Sequence, residues 1–255
     1  MPINHVKKAL AEGKVQIGCA SWQFRSPELP RILRAAGFEW TFIDTEHGNF
    51  DIETVQDICR VSSLVGLCAV VRVADLQYHL VARALDCGAA GIVFPRVESP
   101  ELLERAVSWT KFPPQGIRGF GLNTSSVNYE NMTLAQIAQH LNENVMVVLQ
   151  IETVRAVEMR EELLAVKGID VVMVGPADLS ISLGVPGEFQ HPKVVETVES
   201  IKETCLRRGI APGIHTRNVG LAKFWKERGM RFIGCGNETA MLLEKASEIT
   251  GALRA

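Results

Sequence analysis

The sequence predicts an α/β fold, a TIM-type (β/α)8 barrel, and three observations support this prediction. Eight short β-rich runs alternate with helical patterns along 255 residues, a length at which such a barrel commonly folds as one domain. The runs are nearly all apolar, as expected of parallel strands covered on both faces. The alternative, a doubly wound open sheet, would need a glycine-rich phosphate loop after its first strand, and CASWQFRSPE is no such loop. We therefore expect a single barrel domain over residues 1–255.

The predicted strands follow one another at intervals that leave room for a helix between them. In chain order they cover residues 15–20, 39–46, 68–73, 91–97, 145–152, 170–178, 210–215 and 231–236. Ser-Pro pairs at 26–27 and 99–100 predict helix starts, and Gly37, Gly88 and Gly209 predict helix ends.

Two segments stand outside this alternation. The N-terminal residues 1–14 read as a short amphipathic helix without the long apolar core or cleavage site of a signal peptide. Residues 111–132 form the longest irregular segment, and a loop of that length is usually functional or part of an interface, although it can also be merely flexible.

The bulk composition excludes several classes of function. The net charge is −2 at pH 7, so no basic excess indicates a nucleic acid or an anionic membrane surface as partner. The apolar runs are too short to span a bilayer, and we expect a cytoplasmic protein. The six cysteines form no CxxC pair, which favours buried structural thiols over disulfides or metal ligands.

Ionisable or polar side chains end one predicted strand after another. In a β/α barrel, catalytic residues come from the carboxyl ends of the strands. Here these ends carry Asp44, Glu46, His47, Arg72, Gln150, Glu152, Asp178 and His215. Burying charges is costly unless they pair or hold a metal, so this end of the barrel is the predicted active site.

The strongest candidates for a shared role are Glu152 and Asp178, which end consecutive predicted strands. Two neighbouring carboxylates repel each other, and one must take up a proton unless a cation lies between them. Oxygen ligands with open positions suit Mg²⁺ or Mn²⁺. The alternative is that each acid caps the helix that follows it. For either residue taken alone, a helix cap is the better interpretation. When both residues are considered together, on adjacent strands, the interpretation as a metal site gains support.

Three further features allow two interpretations each. Arg72 is either an ion-pair partner at the rim or a cation that stabilises a developing enolate. His47 is either a loop histidine bonded to a carbonyl or a general base, and the two acids before it favour the base. The GPAD run over residues 175–178 offers backbone N–H groups at a helix start that suit a substrate carboxylate, although many αβ turns have this form.

These residues also carry a family resemblance. DTEHG, the VRV run with Arg72, LDCGAAGIVFPRVES, GIRGFG, QIET and VGPADLSISLG occur in this order. Together they resemble the metal-dependent pyruvate aldolases of the HpcH/HpaI family, which act on 4-hydroxy-2-oxoheptane-1,7-dioate or 2-dehydro-3-deoxyglucarate. The resemblance extends from IGCAS to the last helix, and it implies a barrel of the phosphoenolpyruvate/pyruvate type.

The resemblance implies a role for each matching residue. Glu152 and Asp178 hold a divalent cation, which is Mg²⁺, Mn²⁺ or Co²⁺. The substrate-binding positions are Trp22, Gln150, Gly175, Pro176, Ala177 and Asp178. Arg72 stabilises the enolate and His47 acts as acid or base, working with an aspartate that matches Asp86.

Asp86 is predicted to end the helix before the fourth strand, at the wrong end of the barrel to reach His47 of the same chain. The resemblance therefore implies a homo-oligomer, a trimer or a hexamer, in which a neighbouring subunit supplies Asp86. The C-terminal helix is a candidate for exchange between subunits. Without the resemblance, Asp86 reads as a surface acid near a helix C-terminus, where a negative charge is mildly unfavourable.

The implied reaction is reversible retro-aldol cleavage of a 4-hydroxy-2-oxo acid to pyruvate and an aldehyde, as in the breakdown of aromatic or sugar acids. No predicted strand ends in lysine, which argues against a Schiff base. Two alternatives remain: a lyase acting on CoA thioesters and a non-catalytic protein that binds a keto acid. His215 stands where members of the family often have an aliphatic residue, and it either contacts a polar aldehyde or hydrogen-bonds within its loop.

Overall fold

The protein is a closed barrel of eight parallel strands, consistent with the predicted fold. A computed structural model describes residues 3–121 and 127–255, and in this part of the chain each strand pairs with the next and β8 closes on β1. The strands are β1 (Gln16–Ser21), β2 (Trp40–Asp44), β3 (Cys68–Arg72), β4 (Gly91–Phe94), β5 (Met146–Ile151), β6 (Val171–Val174), β7 (Ala211–Thr216) and β8 (Phe232–Asn237).

Helices surround the barrel and connect its strands. In the described ranges they are α1 (His5–Ala11), α2 (Leu29–Ala35), α3 (Ile52–Val65), α4 (Tyr78–Asp86), α5 (Pro100–Ser108), α6 (Leu134–Asn144), α7 (Val154–Glu158), α8 (Arg160–Leu163), α9 (Pro176–Ser182), α10 (Pro192–Arg207), α11 (Val219–Glu227) and α12 (Glu238–Arg254). None of these helices is long and apolar enough to cross a membrane.

The side chains of the strands contribute to two separate hydrophobic cores, because successive residues of a strand point to opposite faces of the sheet. One cluster fills the barrel interior and includes Trp40, Phe42, Val70, Val148 and Phe232. A larger cluster lies between the strands and the surrounding helices. Both faces of each strand are therefore apolar, which explains why the strands read as continuous apolar runs.

A stacked aromatic pair fills the middle of the barrel. The rings of Trp40 and Phe232 lie 3.7 Å apart between centroids and are nearly parallel, at 13°. Gly18 and Gly234 make this possible, because a Cβ on Gly18 would lie 2.2 Å from the Trp40 ring and one on Gly234 would lie 2.9 Å from it. The Trp40–Phe232 stack thus forms a densely packed layer, here called the packed floor of the barrel, beneath the carboxyl ends of the strands.

The main departures from the predicted elements have local causes. β6 ends at Val174 instead of 178 because Pro176 starts α9. β2 ends at Asp44, which leaves Glu46 and His47 in the following loop. The predicted start at Ser26 is replaced by a turn, and α2 begins at Leu29. Residues 111–121 and 127–132 contain no α-helix or strand, as expected, while 122–126 lie outside the described residues.

The last helix, α12, leaves the barrel after its first turn. From residue 242 onward its residues are exposed, including Leu242, Leu243, Ile249 and Leu253. Leu253 retains 82% of its accessible surface. An apolar helix surface of this kind usually packs against another molecule.

The six cysteines are free thiols, as predicted. Five are buried and Cys235 is half-buried. Burial raises the pKa of the Cys19 and Cys205 thiols to about 12, so both stay protonated and behave as small apolar groups.

Candidate active site

Side chains alternate between the two faces of each strand, and this places polar groups in the opening at the carboxyl end of the barrel, here called the barrel mouth. Asp44 lies two residues after Phe42, Arg72 two after Val70 and Gln150 two after Val148, so each follows an interior residue on the same face. The registers of the sheet place Asp44 beside Arg72. The inward-facing side chains of these strands therefore change from apolar to polar or charged at the carboxyl ends.

Asp44 and Arg72 form a buried bidentate ion pair. Arg72 donates from Nε to Asp44 Oδ1 at 2.9 Å and from Nη2 to Oδ2 at 2.5 Å. Asp44 Oδ1 also accepts the backbone N–H groups of Glu46 and His47, at 3.0 and 3.2 Å. One carboxylate thus orients the arginine and shapes the turn that carries His47. Gly48 continues this turn, where a Cβ would lie 2.2 Å from the Asp44 backbone oxygen.

Glu46 joins two arginines over the barrel mouth. Its Oε2 lies 3.4 Å from Arg72 Nε, and its Oε1 lies 2.5 Å from Arg96 Nη2. The exposed His47 ring approaches the same carboxylate, with Nε2 3.8 Å from Oε1. The predicted base is therefore linked to Arg72 through an acid that is itself almost fully buried.

Arg96 is a site residue that the sequence prediction missed. It lies after β4 and has a φ of 50°, in the left-handed region that residues other than glycine seldom adopt. This conformation lets its backbone N–H donate to Glu152 Oε1 at 3.1 Å. Little in the sequence indicated a role for Arg96 in the site, because the FPRV run is typical of the end of a strand.

Glu152 is a buried carboxylate held by its neighbours. It retains 3% of its accessible surface, and Gln150 Nε2 donates to its Oε2. Burial raises the pKa of Glu152, and the negative charge of Asp178 raises it further, although the Gln150 hydrogen bond opposes the shift. A Cβ on Gly175 would lie 2.8 Å from Glu152 Oε2, so a glycine is needed at this point.

The helix-cap alternative does not hold for Glu152. Thr153 is the N-cap of α7, and its hydroxyl accepts the Ala156 N–H at 3.1 Å. Asp178 lies in the first turn of α9, whose N-cap Gly175 provides no side-chain hydrogen bond. The backbone N–H groups of Ala177 and Asp178 belong to this turn and have no acceptor within the helix.

The two carboxylates suit a cation that completes its coordination with other oxygens. No group of three or more histidine, cysteine, aspartate or glutamate side chains that could hold a metal occurs among the described residues. Glu152 and Asp178 would thus supply two oxygen ligands and leave positions open, as Mg²⁺ prefers. The side-chain oxygen of Gln150 is buried and lacks a hydrogen-bond partner in the described chain, which adds an unused acceptor beside them.

Trp22 lies in the loop after β1 and packs against the interior cluster. Its indole Nε1 is buried without a partner among the described residues, and Arg217 stands over its ring with Cζ 5.5 Å from the centroid. Trp22 therefore borders the barrel mouth, and its role as a wall of the site stays a prediction.

Glu238, the first residue of α12, fixes this loop and was not predicted. Its Oε1 accepts three consecutive backbone N–H groups, those of Trp22, Gln23 and Phe24, at 2.8, 2.5 and 3.1 Å. The Trp22 backbone oxygen in turn accepts the Asn49 N–H at 3.2 Å. The loops after β1 and β2 are thus joined to each other and to the C-terminal helix.

Asp86 lies apart from the other predicted catalytic residues. It ends α4, five residues before β4 begins, and therefore stands at the amino-terminal end of the barrel, as the sequence predicted. Arg118 Nη2 donates to its Oδ1 at 2.7 Å. Asp86 and His47 of the same chain thus lie at opposite ends of the barrel.

A cavity of about 390 Å³ also opens at the amino-terminal end of the barrel. Its lining includes Asn4, Gln16, Arg60, Arg118 and Asn144, and it contains none of the predicted metal or pyruvate ligands. Since β/α barrels carry their chemistry at the opposite end, this cavity is not the candidate active site.

Comparison with known proteins decides the family. The model of the HpcH/HpaI aldolase/citrate lyase family matches residues 23–244. The chain belongs to this family. It is 33% identical to the 4-hydroxy-2-oxo-heptane-1,7-dioate aldolase of Escherichia coli, over 96% of this chain and 93% of that one.

Other members of the HpcH/HpaI family match over similar lengths. The hydroxypyruvate/pyruvate aldolase of Cupriavidus necator is 31% identical, with 100% of this chain and 94% of that one covered. The crystal structure of an HpcH/HpaI aldolase from Desulfitobacterium hafniense superimposes with a TM-score of 0.92 at 30% identity, covering 97% and 96% of the two chains. The predicted family, the barrel and the class of enzyme, a carbon–carbon lyase, are thereby confirmed.

Proposed function

We propose that this protein is a divalent-metal-dependent pyruvate aldolase that cleaves a 4-hydroxy-2-oxo acid reversibly to pyruvate and an aldehyde. The observation that carries the proposal is Glu152, a buried carboxylate beside Asp178 whose pKa is raised by burial and by that second charge. Such an arrangement is unfavourable in itself and becomes favourable once a cation neutralises it.

Glu152 and Asp178 would hold the cation, which would be Mg²⁺, Mn²⁺ or Co²⁺. When bound, it would supply Lewis-acid polarisation of the 2-keto group. The substrate carboxylate would lie against the first turn of α9, at Gly175, Pro176, Ala177 and Asp178, where N–H groups lack acceptors within the helix. Gln150 and Trp22 would border the bound keto acid.

Arg72 stabilises the enolate left when the C3–C4 bond breaks. Its Nε and Nη2 are bonded to Asp44, whereas its Nη1 makes no hydrogen bond to any described residue. The guanidinium is thus held rigidly by one edge and keeps donors for the substrate. A donor that is oriented in advance costs little reorganisation when negative charge develops.

His47 takes the proton from the C4 hydroxyl, and Asp86 of a neighbouring subunit supports it. His47 is exposed at the barrel mouth and Asp86 lies at the other end of the same chain, so this pairing requires a homo-oligomer, a trimer or a hexamer. The exposed apolar surface of α12 is consistent with exchange of this helix between subunits.

The test is an assay of aldol addition between pyruvate and a panel of aldehydes, with Mg²⁺, Mn²⁺ or Co²⁺ and with EDTA. We expect metal-dependent turnover that EDTA abolishes. Glu152→Gln and Asp178→Asn should each reduce it by at least about a hundredfold, since even residues that only support a metal ligand are worth about 10–100-fold. Binding of pyruvate or oxalate without turnover would instead indicate a keto-acid sensor. Cleavage restricted to CoA thioesters would indicate a different lyase.

Sharing of the site is tested by subunit mixing. His47→Ala and Asp86→Asn variants are each expected to fold normally and to lose activity. If each site takes one residue from either subunit, mixed oligomers of the two variants regain part of the activity, since some sites then contain both native residues. Full activity of Asp86→Asn alone would remove Asp86 from the mechanism.

A further inference from the structure

His215 occupies an interior position in the same layer as the proposed metal ligands. It follows Ala211 and Gly213 at intervals of two along β7, and Ala211 belongs to the interior cluster. The register pairs Met173 with Gly213 and Val174 with Ile214, so Gly175, the first residue after β6, adjoins His215 where the pairing ends. The imidazole is therefore one strand away from the glycine that adjoins Glu152.

The orientation of the imidazole ring is set by β8. Its Nε2 lies 3.2 Å from the Gly236 backbone oxygen, and its Cδ2 lies 2.4 Å from where a Cβ on Gly234 would be. The Nε2–Cδ2 edge of the ring thus faces β8. In a five-membered imidazole, Nδ1 is the atom opposite that bond, so it points away from β8.

The hydrogen bond to Gly236 also fixes the tautomer. A carbonyl oxygen only accepts, so Nε2 carries the proton and donates it, which leaves a lone pair on Nδ1. Burial lowers the pKa of His215 to about 4, and the positive charges of Arg72 and Arg217 lower it too, although the hydrogen bond to Gly236 and the charge of Asp44 oppose the shift, so the ring is neutral at pH 7. No described residue donates a hydrogen bond to Nδ1.

The surroundings of the ring leave this acceptor available. The edge of the imidazole meets Phe42 at 79°, with 5.5 Å between ring centroids, and Arg72 lies over the same Phe42 ring, with Cζ 5.1 Å from its centroid. His215 is half-buried, so solvent or a ligand can reach it. An aliphatic side chain would satisfy the packing without presenting a lone pair beside Arg72.

We propose that His215 is a specificity-determining residue whose Nδ1 accepts a hydrogen bond from a hydroxyl of the substrate. The favoured substrates are therefore hydroxylated, of the kind derived from sugar acids, in preference to compounds with a hydrocarbon group at that position. This inference rests on the proposed aldolase function. Once a bound substrate excludes water from this position, an analogue without the hydroxyl leaves the acceptor unpaired and is bound less tightly.

The test compares pairs of substrates that differ only by a hydroxyl in place of a methyl group. One arm pairs glycolaldehyde with propanal as acceptors for pyruvate, and the other pairs hydroxypyruvate with 2-oxobutanoate as donors to a fixed aldehyde. The ratio of kcat/KM within each pair is measured for the wild type, His215→Leu, His215→Gln and the control His79→Leu, an exposed histidine on α4.

We expect the wild type to favour the hydroxylated member of at least one pair, and His215→Leu to reduce that preference by about tenfold, the effect of one hydrogen bond. His215→Gln should retain part of it, because its amide can donate to Gly236 and keep an oxygen free. His79→Leu should leave the ratio unchanged. The arm that responds identifies which half of the substrate carries the hydroxyl.

Aldol turnover with no hydroxyl preference in either arm of the wild type would overturn the role of His215 and leave the aldolase proposal intact. The same conclusion follows if His215→Leu keeps the wild-type ratios. Absence of turnover with every pair and every metal would instead refute the proposed function. The wild-type ratios test the role of His215 even if the leucine variant does not fold.

Discussion

The guanidinium of Arg72 and the carboxylate of Asp44 meet through two parallel hydrogen bonds inside the barrel mouth, at 2.9 and 2.5 Å. Both groups are buried, so neither charge is compensated by water. The pair provides the rigidity that a catalytic cation needs, and it makes Asp44 as necessary as the arginine it holds.

Asp44→Ala should destabilise the protein by about 3–5 kcal/mol, because it leaves the buried Arg72 charge without its main partner. Urea unfolding measures the loss. The double variant Asp44→Ala/Arg72→Met should recover part of the stability, since neither member of the pair is then left buried without the other, and Glu46 keeps its contact with Arg96. Arg31→Ala, which breaks an exposed pair with Glu28, is the control and should change the free energy of unfolding by less than about 1 kcal/mol. Equal losses from the buried and exposed pairs would contradict the assigned role.

Glu152→Gln should stabilise the metal-free protein at pH 8 while abolishing its response to metal. The pKa of Glu152 is raised above its ordinary value of 4.5, so the wild type loses stability as the pH rises through that elevated pKa and the buried carboxyl ionises. Glutamine does not ionise, and its advantage should shrink as the pH is lowered to 5. Thermal melts with EDTA and with Mn²⁺ measure both effects. A variant still stabilised by Mn²⁺ as strongly as the wild type would exclude Glu152 as a ligand.

Glu238→Ala should loosen the loop after β1, because three amide groups lose their common acceptor. Hydrogen exchange of the amides of residues 22–24 is expected to accelerate in this variant, and kcat/KM to fall by about tenfold or more, since a small misplacement of a site wall is costly. Glu238→Gln keeps an oxygen acceptor and should preserve slow exchange. Unchanged exchange in the alanine variant would show that other contacts hold the loop.

The neutrality of His215 predicts an acid-dependent stability difference. The pKa of His215 is about 4 in the folded protein, against an ordinary value of 6.5. Its contribution to the free energy of unfolding is therefore complete above pH 6.5. It is lost as the pH falls from 6.5 to 4, because the unfolded chain binds the proton first. The loss relative to His215→Leu should reach about 3 kcal/mol. Urea unfolding at pH 7, 5.5 and 4.5 measures it, and a constant difference across this range would mean that folding does not lower the pKa of His215.

Much of the fold was predictable because the physical cause lies in local sequence. Continuous apolar runs arise from strands that pack on both faces, and the regular helix between each pair defines the barrel. The errors lie in strand bounds, as when the predicted strand over 170–178 stops at Val174 because Pro176 starts α9, while the GPAD run lies at a helix start as predicted.

The site was predictable to the extent that strand alternation determines it. Arg72 follows the interior residue Val70, and Glu152 follows Val148 and Gln150 on the same face, so both could be placed from spacing. Glu238 and Arg96 could not, because both act through backbone N–H groups and through contacts between segments far apart in the chain. Asp86 raises a different difficulty, since its proposed partner belongs to another subunit.

The packed floor of the barrel limits how this enzyme can be re-engineered. Gly18 and Gly234 adjoin the Trp40–Phe232 stack so closely that even an added methyl group would collide with an aromatic ring. Libraries of variants designed to extend the active site into the barrel interior would therefore yield mostly unfolded protein. New substrate ranges are more accessible through the loops above, where Arg96 and Arg217 can be exchanged without disturbing the stack.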